Sequence, residues 1–197
     1  ILVTENGGRS WTRALDNLPL AGEGEGGFAA SGTIVTTGKD GRAWIGTGAG
    51  GNARLLYTDD FGKRWQSFTT PMIKGETAGI TSVRAAEGTL LIAGGDLRSK
   101  EADPNRVFFS TTSGKSWYPA GNPKTPGPLY SAALAKIGDR YVALLCGPEG
   151  ADFSLDFGKS WEKISPSTLW TCTLLPSGDG WLMGKGGKIL KIVVDQE

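Results

Sequence analysis

Ser154-Leu155-Asp156-Phe157-Gly158-Lys159-Ser160-Trp161 is one of four copies of a single eight-residue pattern. The others are Thr4-Glu5-Asn6-Gly7-Gly8-Arg9-Ser10-Trp11, Thr58-Asp59-Asp60-Phe61-Gly62-Lys63-Arg64-Trp65 and Ser110-Thr111-Thr112-Ser113-Gly114-Lys115-Ser116-Trp117. Each reads as a turn. An Asp or Asn at the third position folds its side chain back onto backbone N–H groups, and the Gly two places later takes the positive φ of a tight hairpin. The closing Trp opens the returning strand and buries its ring between sheets. Asn6, Trp11, Asp60, Gly62, Trp65, Gly114, Trp117, Asp156, Gly158 and Trp161 are therefore read as structural.

Successive tryptophans of the pattern lie 54, 52 and 44 residues apart, close to the ~40–50 residues of one four-stranded propeller blade. Runs rich in β-branched and aromatic residues fill the intervals, separated by Gly, Asp, Asn or Pro. After the first turn they are 28–37, 43–47, 54–58 and 65–69, then 80–85, 90–93, 106–110 and 116–119, then 130–137, 141–146, 151–154 and 160–164. Each round predicts one antiparallel blade with an inner, second, third and outer strand. The chain starts with two strands, 1–4 and 10–13, and closes with three, 169–175, 181–183 and 188–194. The fold expected is all-β, a propeller of four-stranded blades, divided as 1–14, 28–70, 78–121, 128–165 and 168–195. A total of 17 strands does not close a four-bladed ring of sixteen. The expectation is thus a segment, about four blades' worth, of a larger propeller.

Composition narrows the function. The chain has 197 residues with 21 Lys and Arg against 20 Asp and Glu, so no bulk charge draws it to nucleic acid or an anionic membrane. No apolar run reaches the ~18 residues of a membrane helix. With no histidine and two cysteines, neither a metal cluster nor a disulfide framework is legible, and Cys146 and Cys172 read as small buried hydrophobes. Two G-x-G-x-x-G matches, at Gly22/Gly24/Gly27 and Gly46/Gly48/Gly51, have no helix after them. A dinucleotide fingerprint needs one. The Gly-Lys-Ser triplets at 114–116 and 158–160 are tails of the turn pattern. No cofactor is expected.

If the turn pattern joins third to outer strands, the second-to-third loops emerge on the opposite face: 46–53, 94–105, 147–150 and 184–187. Loops held by a rigid scaffold are where binding concentrates. The candidate binding residues are Asp96, Arg98 and Lys100 of the longest loop, which also holds Glu101 and Asp103, with Glu149 and Lys185 on the others and Arg54 directly after the first. Glycoside hydrolysis would need a carboxylate pair flanking the scissile bond, or an arginine cluster with a Tyr–Glu nucleophile. Arg42, Arg54, Arg98, Arg106, Tyr130, Asp96 and Glu149 are the residues that could supply them, though nothing in the sequence brings them together.

The four turns resemble the bacterial neuraminidase (BNR) or Asp-box repeat. The run Gly24-Glu25-Gly26-Gly27-Phe28-Ala29-Ala30-Ser31-Gly32-Thr33, through Ala43-Trp44-Ile45-Gly46-Thr47-Gly48 and Ala78-Gly79-Ile80 to Gly94-Gly95-Asp96, is similar to the WD40/YVTN/BNR-like propellers. These are often labelled oxidoreductase-like or related to the photosystem II stability/assembly factor. The chain departs from the repeat at Thr112, where Asp is usual, and at Arg64, where Ser or Thr is usual, and both changes are expected to weaken their turns. The resemblance implies a longer protein with blades before Ile1. Taken with the polar loop face, it points to a non-catalytic scaffold that binds a protein, periplasmic or extracellular. The alternative is a sialidase-like hydrolase or a carbohydrate-binding propeller.

Overall fold

The computed structural model describes residues 1–13, 17–29 and 31–195. Among these described residues, seventeen strands make up five antiparallel sheets. β1 (Leu2–Val3) and β2 (Thr12–Arg13) form a hairpin. The first four-stranded sheet is β3 (Val35–Thr37), β4 (Ala43–Gly46), β5 (Arg54–Thr58) and β6 (Gln66–Thr69). The second is β7 (Ala78–Ala86), β8 (Thr89–Asp96), β9 (Val107–Ser110) and β10 (Tyr118–Pro119). The third is β11 (Ser131–Ile137), β12 (Arg140–Gly147), β13 (Gly150–Ser154) and β14 (Glu162–Ser165). The fourth sheet has β15 (Leu169–Leu174), β16 (Asp179–Gly184) and β17 (Ile189–Val193), with a short 3-10 turn at Lys185–Gly187.

In each sheet the strands pair in chain order, which is the meander of a propeller blade. Successive inner strands β3, β7, β11 and β15 neighbour one another. Apolar side chains fill the gaps between sheets. Trp44, Leu55, Ile80 and Leu90 pack between the first and second, Leu91, Phe109, Leu134 and Trp161 between the second and third, and Leu144, Leu169, Leu174 and Leu182 between the third and fourth. Gly48 allows the first two sheets to meet: it bridges to both Gly26 and Gly79, and a Cβ on it would stand 2.9 Å from the Gly79 Cα. It is a packing glycine. Strand β17 pairs with β16 on one edge and, among the described residues, with no strand on the other.

The inner strand expected over 28–37 starts only at Val35. Gly32 takes φ 68°, and the Thr33 carbonyl accepts from Val83 N–H of the second sheet at 2.8 Å, so this segment serves the neighbour instead of its own ladder. A row of hydroxyls continues that link across the axis. Ser82 Oγ accepts from Ala132 N–H at 3.0 Å and Ser131 Oγ from Cys172 N–H at 3.2 Å. Thr33 Oγ1 donates to Ser82 Oγ at 2.8 Å, and Thr171 Oγ1 donates to the Ser31 carbonyl at 3.2 Å, joining the fourth sheet to the first near the axis. Thr33, Ser82 and Ser131 are all buried. Buried hydroxyls keep their partners because an unpaired one costs about 1–3 kcal/mol.

The four turns share one geometry. The first-position hydroxyl, Thr4, Thr58, Ser110 or Ser154, accepts from the glycine N–H at 2.8, 3.0, 2.9 and 2.9 Å. The third-position side chain, Asn6, Asp60, Thr112 or Asp156, accepts from the seventh-residue N–H at 2.9 Å in every copy. Thr112 therefore keeps the backbone bond of its turn, its hydroxyl taking the place of the carboxylate oxygen. Arg64 also substitutes without loss, its Nε donating to Asp60 Oδ2 at 2.9 Å where Ser160 Oγ donates to Asp156 Oδ2 at 2.6 Å. Positive φ falls on two residues per turn, not only on glycine: Phe61 at 61°, Ser113 at 57° and Phe157 at 62° precede Gly62, Gly114 and Gly158.

The tryptophans are not equally buried as the pattern predicts. Trp161 is 3% exposed between sheets, Trp65 and Trp117 are half-buried, and Trp11 is 57% exposed. Burial depends on a preceding sheet. Trp161 has the second sheet to pack against, whereas Trp11 belongs to the isolated hairpin.

Candidate binding face

Opposite the turns, the second-to-third loops and the inter-sheet crossovers meet on one face. Gly127 N–H of one crossover donates to the Glu101 carbonyl of a loop at 3.2 Å, and Lys185 N–H donates to the Thr168 carbonyl at 3.1 Å. Several candidate side chains are consumed in building this face. Arg54 makes a two-pronged pair with Glu25, Nη2 to Oε2 at 2.7 Å and Nε to Oε1 at 2.9 Å, and reaches the Leu20 carbonyl at 2.8 Å. Burial of Glu25 raises its pKa, but bonds from Arg54, Thr47 and the Gly22 N–H outweigh it and leave the carboxyl below its usual value. Asp96 ends β8, and its Oδ1 accepts from Thr77 Oγ1 at 2.6 Å and from Arg98 N–H at 3.0 Å. Those two bonds, the Thr77 one first, hold its pKa down. Asp96 is a loop cap.

Arg106 is buried, its guanidinium donating to the carbonyls of Asp103 and Thr125, each at 2.9 Å, and of Gly127. Arg42 stands by the turn rim with Asp40 at 3.4 Å. Three of the arginines proposed for a carboxylate-binding cluster are thus placed apart and occupied. Arg98, Lys100, Glu149 and Lys185 remain exposed on the loop face. The Glu149 carbonyl accepts from Lys163 Nζ at 3.1 Å.

What sequence reasoning missed is an aromatic pair where the inner strands leave this face. Tyr130 precedes β11, and its ring stacks on Trp170 of β15 with centroids 5.8 Å apart and planes 20° apart. Trp170 is the extra residue of a β-bulge, since the register with β16 shifts between Leu169 and Thr171. Bulges re-aim side chains, and Trp170 is 41% exposed. The second sheet has the same bulge, between Ile80 and Ser82, but its extra residue Thr81 turns inward and donates to the Ala93 carbonyl at 3.2 Å. Aligning Ile80-Thr81-Ser82, Leu129-Tyr130-Ser131 and Leu169-Trp170-Thr171 exposes the signal: a constant apolar residue, a constant hydroxyl and a variable residue between them.

No protein-family model and no curated relative matches the chain. Solved structures do. The chain is similar to YCF48 from Cyanidioschyzon merolae, with a TM-score of 0.54 and 15% identity over 99% of this chain and 61% of that one. It is similar to the GH74 enzyme of Niastella koreensis, TM-score 0.53 and 16% identity over 80% of this chain and 24% of that one. It is also similar to streptogramin B lyase, TM-score 0.51 and 14% identity over 90% of this chain and 57% of that one. At such identities only the fold carries over, and the chain is a β-propeller. It spans less than two thirds of each of these proteins.

Proposed function

We propose that this propeller is a non-catalytic scaffold of the Asp-box (BNR) type that binds a protein through its loop face, outside the cytoplasm. The observation that carries the reading is the Tyr130–Trp170 stack, with Trp170 exposed and Tyr130 half-buried, on a face where Lys185, Glu149, Arg98 and Lys100 are also exposed while Arg54, Asp96 and Arg106 are tied into its own loops. Large rigid aromatics within a polar rim are the usual anchors of protein interfaces. A hydrolase would instead need carboxylates and cations converging on one substrate, while here Arg54, Asp96 and Arg106 each serve local structure. The turn rim, uniform in all four copies, has a folding role.

The test uses the chain as bait with extracellular or periplasmic material from its source. A protein partner identified by cross-linking is expected to bind wild type and Asp156→Ala alike, and to bind Trp170→Ala about 10-fold more weakly or worse. Turnover of sialosides or aryl glycosides, lost on Asp96→Asn or Glu149→Gln, would overturn the reading. Saturable glycan binding without product, lost on Trp170→Ala, would replace the protein partner with a carbohydrate.

A further inference from the structure

Cys146 and Cys172 lie far apart in sequence but share one buried position between the third and fourth sheets. Cys146 is on β12, directly across the ladder from Ser131 of β11. Cys172, on β15, donates its N–H to Ser131 Oγ at 3.2 Å, and its Sγ lies 3.7 Å from the same hydroxyl. Both belong to one apolar cluster and are 0% and 1% exposed. Ser131 and Cys146 face each other across the ladder with their side chains on the same face of the sheet, so the hydroxyl that Cys172 Sγ approaches is the direct neighbour of the Cys146 thiol. The neighbouring Cys172 sulfur, with burial adding to it, holds the pKa of the Cys146 thiol up, whereas Cys146, Ser131 and the Arg84 guanidinium lower that of Cys172 against burial. Of the two, Cys172 is therefore the one that gives up its proton more readily.

We propose that Cys146 and Cys172 are an oxidisable pair that closes into a disulfide and clamps the third sheet to the fourth. The oxidant is a small-molecule disulfide such as glutathione disulfide. Cys172 gives up its proton and its thiolate attacks one sulfur of the oxidant, whose S–S bond breaks, and one glutathione leaves as a thiolate that takes up a proton. Cys146 then loses its proton and attacks the Cys172 sulfur of the mixed disulfide, expelling the second glutathione. Two electrons pass from the cysteines to the oxidant, which becomes two thiols. Burial keeps the oxidant from the folded pair, so closure happens during folding or when the three-stranded fourth sheet opens. The cross-link fits a protein that works in an oxidising compartment. It is nevertheless independent of what the loop face binds.

The experiment refolds the full chain in a glutathione redox buffer and, in parallel, under reductant. Oxidised protein is expected to be monomeric, to have no thiol reactive to Ellman reagent after denaturation, to weigh about 2 Da less, and to yield a peptide joining residues 146 and 172. It should melt about 5–10 °C above the reduced form. Cys146→Ser and Cys172→Ser should each abolish that difference. Protein that refolds with both thiols free, that retains glutathione adducts, or whose cross-linked form melts no higher than the reduced one would overturn the proposal. The thiol count and mass are read on wild type, so the test stands even if a variant fails to fold.

Discussion

At Asp156 the carboxylate holds the Ser160 N–H at 2.9 Å and the Ser160 hydroxyl at 2.6 Å. Asp156→Ala removes both and should cost about 0.5–2 kcal/mol in urea unfolding, by analogy with loss of a helix cap. Any loop-face binding should persist. Its pKa is lowered to about 2, chiefly by the Ser160 side chain, and that of Asp60 is lowered to about 2, chiefly by Arg64. A carboxyl whose folded pKa is depressed contributes stability above its unfolded pKa near 4, and loses it as pH falls through the folded value. The melting temperature should therefore drop between about pH 4 and pH 2, and the Asp156→Asn variant should show a shallower drop. The tryptophans separate by burial: Trp161→Ala should cost about 3–5 kcal/mol because Trp161 is 3% exposed. Trp11→Ala should stay within about 0.5 kcal/mol, Trp11 being 57% exposed. Equal costs for the two in chemical denaturation would contradict the packing described.

Among the elements, the inner strands carry the most consequential hydrogen bonds. Ser131 on β11 accepts the N–H of Cys172 from β15, so Ser131→Ala leaves a buried donor without its acceptor. The expected loss is about 1–3 kcal/mol, measurable as a lower urea midpoint with an unchanged slope. Ser131→Thr keeps the hydroxyl and should recover part of it. A loss for Ser131→Ala no greater than that of an exposed serine such as Ser177 would show that the hydroxyl row is incidental. The bulges on β7 and β15 show how one element type serves two ends, since Thr81 ties its bulge to the Leu129 carbonyl just before the next inner strand while Trp170 turns its ring outward.

For the molecule as a whole, stability should follow position in the series of sheets. β7 and β11 have packed sheets on both sides, whereas among the described residues β17 has one free edge and the β1–β2 hairpin pairs with no other sheet. Local opening is easiest where buried contacts are fewest. Hydrogen exchange should accordingly be slowest over 78–96 and 131–147 and fastest over 1–13 and 189–194. Protection of 189–194 equal to that of β11 would require a partner strand on β17 and would contradict the free edge.

The four turns and most strands were legible in the residues because their forces are local: a hydroxyl, a carboxylate or amide, and a glycine within eight positions of Trp161 or Trp65 suffice to close the hairpin. The count of seventeen strands follows from the same repetition. Even there, the role of the first hydroxyl and the equivalence of Thr112 and Asp156 needed the observed hydrogen bonds. The face opposite the turns was legible only as a place. Arg54, Asp96 and Arg106 looked like available charges because their partners Glu25, Thr77 and the Gly127 carbonyl come from other loops, and side-chain availability depends on those distant neighbours. Tyr130 and Trp170 are 40 positions apart, and Cys146 and Cys172 are 26. Periodicity placed each in its segment; only the stacking of sheet on sheet, driven by burial between neighbours, brought Tyr130 onto Trp170 and both cysteines beside Ser131.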